Sequence, residues 1–225
     1  MTDPIDRRRA LGLLGALGLG AVVTACGSST KSSSASTAAS QAVDCVLTPE
    51  VTEGPFYLDL NSLRSDITDG KAGTPLAVRI TVVDATACTP IKDAAVDIWH
   101  CDAEGVYSGF AQEGTGGQTY LRGTQVTSAA GVAEFQTIYP GWYQGRAVHV
   151  HMKVHVGGSE VHTGQFFFDP AVSKAVYQSG PYNSSADTSN SGDGIYRQAG
   201  GEASVLRTTQ SSNGYAGAIV VGVNA

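Results

Sequence analysis

Val148-His149-Val150-His151-Met152-Lys153-Val154-His155-Val156 alternates between apolar and polar or titratable side chains. A period of two belongs to a β-strand, whose successive side chains point to opposite faces. One face reads Val148, Val150, Met152, Val154 and Val156, an apolar row suited to a sandwich core. The other presents His149 and His151, which share a face and can chelate one ion. Just upstream, Trp142-Tyr143-Gln144-Gly145-Arg146-Ala147 adds a tyrosine and an arginine.

Outward from this strand the pattern stays β. Runs rich in Val, Ile and Phe at 77–84, 94–100, 123–127, 132–137, 148–156, 165–168 and 218–223 are separated by Gly, Pro, Asp and Ser clusters. The 28 glycines fit a loop-rich sandwich or barrel. A short helix is expected over 170–177, with Pro170 in its first turn. Residues 181–201 are rich in Gly, Ser, Asn and Asp and read as a long surface loop. No internal repeat is visible.

The first residues differ in kind. Arg7-Arg8-Arg9, an apolar run over 10–23 and Thr24-Ala25-Cys26 describe an export signal over residues 1–25. The run is short and Gly-rich for a spanning helix. The paired arginines resemble a twin-arginine signal. Val23-Thr24-Ala25-Cys26 resembles a lipobox, which makes Cys26 the expected lipid attachment point and the protein an exported lipoprotein at the cell membrane. Residues 26–43, rich in Ser, Thr and Ala, read as a flexible tether. One domain over 44–225 remains.

The chain holds 14 basic and 20 acidic residues, a net charge of −6, and loss of the signal would leave it acidic. An acidic exported domain is a poor partner for nucleic acid, and membrane contact is expected only through Cys26. The oligomeric state is not legible. Outside the cytoplasm a disulfide among Cys45, Cys88 and Cys101 is expected. If 94–101 is a strand, Cys88 and Cys101 lie at its opposite ends, several residues at ~3.3 Å each apart, too far for a bridge. Cys45 is therefore favoured as one partner.

A strand H-x-H alone is weak evidence, occurring in zinc, copper and iron sites and in cupins. The cupin pattern wants a glutamate a few residues after the second histidine. Here His155 and Val156 stand there, and Glu160 comes too late. Lone tyrosines in loops are ordinarily packing residues. His100, His155 and His162 read as exposed or internally satisfied, and His155 is ~13 Å along the strand from His151, too far for the same ion.

Read together, however, the segments resemble the intradiol ring-cleavage dioxygenases. Trp99, expected to face inward from its strand, is followed by Asp102-Ala103-Glu104-Gly105-Val106-Tyr107. Pro140-Gly141-Trp142-Tyr143 then leads through Arg146 to His149-Val150-His151. Gly54-Pro55-Phe56-Tyr57, which resembles the family's N-terminal approach to the active site, and Gln165 in Thr163-Gly164-Gln165-Phe166-Phe167-Phe168 extend the likeness, which spans about 49–170.

The resemblance implies an all-β, two-sheet β-sandwich and a non-haem Fe(III) cofactor held by Tyr107, Tyr143, His149 and His151. Hard Fe(III) suits anionic oxygen donors, and coordination can deprotonate a phenol whose free pKa is ~10. It implies an oxidoreductase that takes a catechol-type substrate and O2 and opens the ring between the two hydroxylated carbons, giving a cis,cis-muconate-type diacid. Tyr107 and His149 match the equatorial ligands, and Tyr143 and His151 the axial pair. Tyr143 would leave the metal as substrate binds and help take up its second proton. Arg146 would stabilise negative charge on the substrate, and Gln165 would support that arginine or simply satisfy a neighbouring strand.

The chain departs from the family pattern in three places. Five residues separate Tyr143 from His149 where better-known members carry a longer loop, Ala147 stands where a proline is usual, and the helical dimerisation domain of catechol 1,2-dioxygenases is expected to be absent. The preferred catechol is therefore open, with loops 112–120 and 181–201 expected to set it. The competing readings are an exported sandwich that binds an aromatic ligand without turning it over, and a copper or zinc protein using only the histidine pair.

Overall fold

The structure, a computed structural model, describes residues 45–183 and 185–225. The expected signal (1–25), most of the region before the domain, the tether (26–43) and Cys26 lie outside the described residues. Among the described residues no helix is long and apolar enough to cross a membrane.

Eight strands form in chain order: β1 (Pro75–Asp84), β2 (Ala95–Trp99), β3 (Arg122–Val126), β4 (Val132–Ile138), β5 (His149–Val156), β6 (Ser159–Phe167), β7 (Arg207–Ser211) and β8 (Gly214–Val223). They make two four-stranded sheets, ordered β4-β1-β8-β7 and β3-β2-β5-β6. Every pairing is antiparallel except β1 with β8. This is the two-sheet β-sandwich expected from the sequence.

The apolar rows of both sheets meet in one core. Val78, Ile80 and Val82 from β1 pack with Ile98, Phe135, Val150, Met152, Val154 and Phe166, and all are buried. Each such side chain contributes about 1.5–3 kcal/mol through removal from water. The alternation quoted at the outset therefore sets the register, because a one-residue slip would send the histidines into this core.

The opposite face of β5 is covered too. His149, His151 and Lys153 are all buried, under a segment that reaches the site from the N-terminal side. That segment pairs with β8 through Thr48 N–H to Gly222 O (2.8 Å) and with β6 through Val51 N–H to Thr163 O (3.0 Å). The Cys45–Cys88 disulfide, with a Cα–Cα distance of 5.2 Å, fixes its start to the turn after β1. Cys101 remains a buried free thiol.

Several expectations are corrected. β7 was not foreseen: its Arg-Thr-Thr-Gln-Ser sequence has no apolar face and lies at the sheet edge, paired only with β8. β6 starts at Ser159, six residues before the expected strand, because Gly157 (φ 59°) and Gly158 (φ 85°) close a two-residue hairpin with β5. Trp99 lies on the histidine face, away from the sandwich core, because β2 pairs it with His151 while Ile98 faces inward. Helix α1 (Pro170–Val176) forms as expected, capped by Asp169 accepting from Ala171 N–H at 2.7 Å. Residues 181–201 are more than a surface loop, for they contain helix α2 (Gly194–Gln198) and the buried Asp193 and Ala199.

Candidate metal centre

Strand register builds the floor of the site. Across β3, β2, β5 and β6, Arg122 pairs with Trp99, Trp99 with His151 and His151 with Gln165. All four therefore project from the same face. The Trp99 ring stacks on His151 at 5.0 Å with planes 10° apart, holding the imidazole flat. Gly54 comes close above it, where an added Cβ would sit 3.1 Å from His151 Cε1.

Two turns bring in the tyrosines. The Asp102 carboxylate accepts from Glu104 and Val106 N–H, both at 3.0 Å, which bends the chain toward Tyr107. Gly141 N–H donates to Asp102 O at 3.0 Å, so the turn before Tyr143 lies directly against this one. The contact leaves no room for side chains. A Cβ on Gly105 would lie 2.2 Å from Trp142 O, and one on Gly141 would lie 2.4 Å from Asp102 O. The glycines of both motifs thus let two backbone turns touch and aim two phenols at the histidines.

All six residues singled out in the sequence come together. His149 Nε2 lies 3.0 Å from His151 Nε2 and 3.3 Å from Tyr143 Oη. The Tyr107 ring centroid is 5.8 Å from that of Tyr143 and 6.1 Å from that of His151. Arg146 directs Nη1 at Tyr143 Oη (3.3 Å) and His149 Nε2 (3.4 Å), while its Nη2 donates to Gln165 Oε1 at 2.6 Å. Gln165 Nε2 in turn donates to Thr52 O at 2.9 Å. The glutamine therefore does both things expected of it, supporting the arginine and satisfying neighbouring backbone.

The donor set fits a resident cation. His149 Nδ1 donates to Ala147 O at 2.6 Å, which leaves the Nε2 lone pair free to bind. Burial first, then Arg146, pushes the His149 pKa down to about 3, and burial and His149 push His151 well below its ordinary value. Both stay neutral, the state that binds a metal. The buried Tyr107 hydroxyl has no hydrogen-bond partner. The two imidazole Nε2 atoms stand 3.0 Å apart, close enough to share one ion. Burial also holds the Tyr107 phenol well above its usual pKa and raises that of Tyr143. Such phenols ionise in this pocket only beside a strong positive charge. Among the described residues no three His, Cys, Asp or Glu side chains converge, so the set is two imidazoles and two phenols.

The remaining histidines stand apart from this set. His100 is buried between Cys101 O (2.8 Å) and Thr137 Oγ1 (2.7 Å). His155 lies 3.3 Å from Asp97. His162 is buried with an unpartnered Nε2, so it is not internally satisfied as expected.

Phe56, from the Gly-Pro-Phe-Tyr segment of the family likeness, stacks on Tyr107 at 4.2 Å. Two further contributors carry no mark in the sequence. Arg122 is buried and donates to Phe56 O (2.6 Å), Ser108 O (2.8 Å) and Ser108 Oγ (2.9 Å). Burial lowers its pKa to about 10, so it stays charged at neutral pH. Asp193 grips Arg146 Nε at 2.8 Å, and nothing in its polar surroundings marks it in the sequence.

Comparison with known proteins agrees with this geometry. The Dioxygenase_C family model, described as Dioxygenase, matches residues 52–186. Catechol 1,2-dioxygenase 1 of Acinetobacter lwoffii is 29% identical over 142 residues, 53% of this chain and 45% of the relative. Chlorocatechol 1,2-dioxygenase of Cupriavidus pinatubonensis is 31% identical over 143 residues, 54% of each. The chain thus spans about half the length of the curated relatives it matches. The solved intradiol ring-cleavage dioxygenase of Tetranychus urticae superposes with a TM-score of 0.76 at 35% identity, covering 80% of this chain and 95% of that one. With its two-sheet sandwich and its paired tyrosines and histidines, the chain belongs to the intradiol ring-cleavage dioxygenase family.

Proposed function

We propose that the protein is a non-haem Fe(III) dioxygenase that uses O2 to open the ring of a catechol-type substrate between its hydroxylated carbons. The observation that carries this reading is the convergence of Tyr107, Tyr143, His149 and His151 beside Arg146. These four would hold the metal. A bound ferric ion would supply the charge that ionises the phenols and the Lewis acidity that binds both catechol oxygens and makes the ring electron-rich.

The chain's own residues then divide the work. Tyr107, His149 and His151 are buried, whereas Tyr143 and Arg146 are half-buried, so substrate enters on the Tyr143 side. Tyr143 Oη, once ionised beside the metal, would take up the second catechol proton, with Arg146 Nη1 already next to it. The Arg146 guanidinium, oriented through Gln165, lies where it can stabilise negative charge on the ring. Phe56 stacks on Tyr107 and Trp99 on His151, so aromatic faces pack behind two of the four donors. The ring opens to a cis,cis-muconate-type diacid that carries both oxygen atoms.

Addition of ferric iron to metal-free protein tests the site. One equivalent should bind and give a visible phenolate-to-iron charge-transfer band. A protein that stays colourless and iron-free contradicts the reading and favours the aromatic-binding sandwich, and binding of copper or zinc alone favours the histidine-pair site. We also propose export and anchoring through Cys26, on the strength of the N-terminal sequence. Cys26→Ser should move the protein from the membrane fraction to the soluble one, and unchanged fractionation would contradict it.

A further inference from the structure

The family match ends at residue 186, yet two carboxylates beyond it hold the loop between Tyr143 and His149. Asp187 accepts from Gly145 N–H through both oxygens, at 3.2 and 3.3 Å. Asp193 is 2% exposed. Its Oδ2 accepts from Arg146 Nε at 2.8 Å and from Ala147 N–H at 2.9 Å. Its Oδ1 caps α2, accepting from Ile195 N–H at 2.7 Å and Tyr196 N–H at 3.3 Å.

We propose that Asp193, assisted by Asp187, is a positioning residue for Arg146, in a brace that this chain supplies from outside its family-matched segment. A helix cap needs only one carboxylate oxygen. Here the second is committed to the arginine and to the backbone beside it. Gln165 holds the Nη2 edge of the guanidinium and Asp193 holds Nε. With both edges gripped the plane of the fork is fixed, and Nη1 is left pointing at Tyr143 and His149.

The loop itself explains the need. Gln144-Gly145-Arg146-Ala147-Val148 holds no Asp, Glu, Ser or Thr to accept from its own backbone, so the brace supplies acceptors for the N–H groups of Gly145 and Ala147. The Asp193 carboxyl is pushed up by burial but drawn further down by the Ala147 N–H and Arg146, so it is ionised at neutral pH and matches the guanidinium charge.

The inference rests on the proposed ferric reading only for what Arg146 does, so its test has one readout independent of turnover. The Arg146 Nε–H signal in a 1H–15N NMR spectrum, identified by its loss in Arg146→Lys, reports the brace in metal-free protein. In Asp193→Asn that signal should shift and exchange faster with solvent. In iron-loaded Asp193→Asn, iron content should hold while kcat falls about 10²-fold, the loss typical of a charge misplaced by about 1 Å, with KM little changed. Asp193→Glu restores the charge and should recover part of kcat, and it decides the matter if Asp193→Asn does not fold. An Nε–H signal unchanged in both variants, with only a lower melting temperature, would make Asp193 a helix cap and overturn the proposal. If the unaltered protein turns over no catechol, the functional reading fails while the NMR signal still decides the brace.

Discussion

Tyr107 and Tyr143 are the same residue type in opposite circumstances. Tyr107 is sealed in, stacked on Phe56, with an unpartnered hydroxyl, whereas Tyr143 is half-buried and already touches Arg146. Their substitutions should therefore differ. Tyr107→Phe should bind ferric iron far more weakly, because the buried hydroxyl has no second role. Tyr143→Phe should keep iron, show a shifted charge-transfer band and lose turnover. Iron analysis and visible spectra distinguish the two, and spectra identical to the unaltered protein would count against both assignments. Asp193 adds a pH dependence. Its folded pKa is depressed, so its stabilisation is present above the ordinary carboxyl value of about 3.9 and fades as the pH falls below that toward the lowered native value. Acid unfolding of Asp193→Asn should accordingly be shallower below about pH 4, followed by circular dichroism; parallel acid profiles would contradict this. At this scale the two tyrosines, the two histidines, Arg146 and Gln165 were legible because their types and order are distinctive. Asp193 was not, because one carboxylate in a Ser, Asn, Gly and Asp-rich stretch looks like every other.

The two turns that carry the tyrosines depend on having no side chain at their contact. Gly105 combines a φ of 90° with Trp142 O only 2.2 Å from any added Cβ. Gly157, in the β5–β6 hairpin, has a φ of 59° and nothing within 4 Å. Gly157→Ala should cost about 1 kcal/mol, the price of a left-handed backbone alone. Gly105→Ala should cost more, upward of about 2 kcal/mol, and weaken iron binding by moving Tyr107 and Tyr143 apart. Urea midpoints of the two variants give the comparison, and equal losses would mean that the turns do not press on one another. Element existence followed the hydrophobic period closely where one face was apolar, as in β1, β4 and β5. It failed for β7, which is polar throughout, and for the start of β6, where the Gly157-Gly158 hairpin leads into the polar Ser159-Glu160.

For the molecule as a whole, the sandwich is a support for one buried face. The core fixes β5, the register of β2, β5 and β6 aligns Trp99, His151 and Gln165, and the segment running from Cys45 lays Gly54 and Phe56 over them. The Cys45–Cys88 bridge closes a sequence separation of 43. Its reduction should lower stability by about 2–4 kcal/mol, while the buried Cys101 stays unreactive to thiol reagents until the protein unfolds. An unchanged melting temperature under reductant would show that the bridge does not secure this segment. The fold was legible because alternation and turn residues repeat along the chain. The approach of residues 54–57 to the site was legible through the family likeness, but the path of residues 45–53 was not, since it depends on pairings with β6 and β8 that lie more than 100 residues away in sequence. The central claim is ring opening by this site, and oxygen uptake by iron-loaded protein over catechol, protocatechuate, hydroxyquinol and methylcatechols, with mass analysis of the products, tests it most directly. At least one of these catechols should consume one O2 per molecule and yield a muconate-type diacid heavier by both oxygen atoms; iron-loaded protein that consumes no oxygen with any of them would contradict the account.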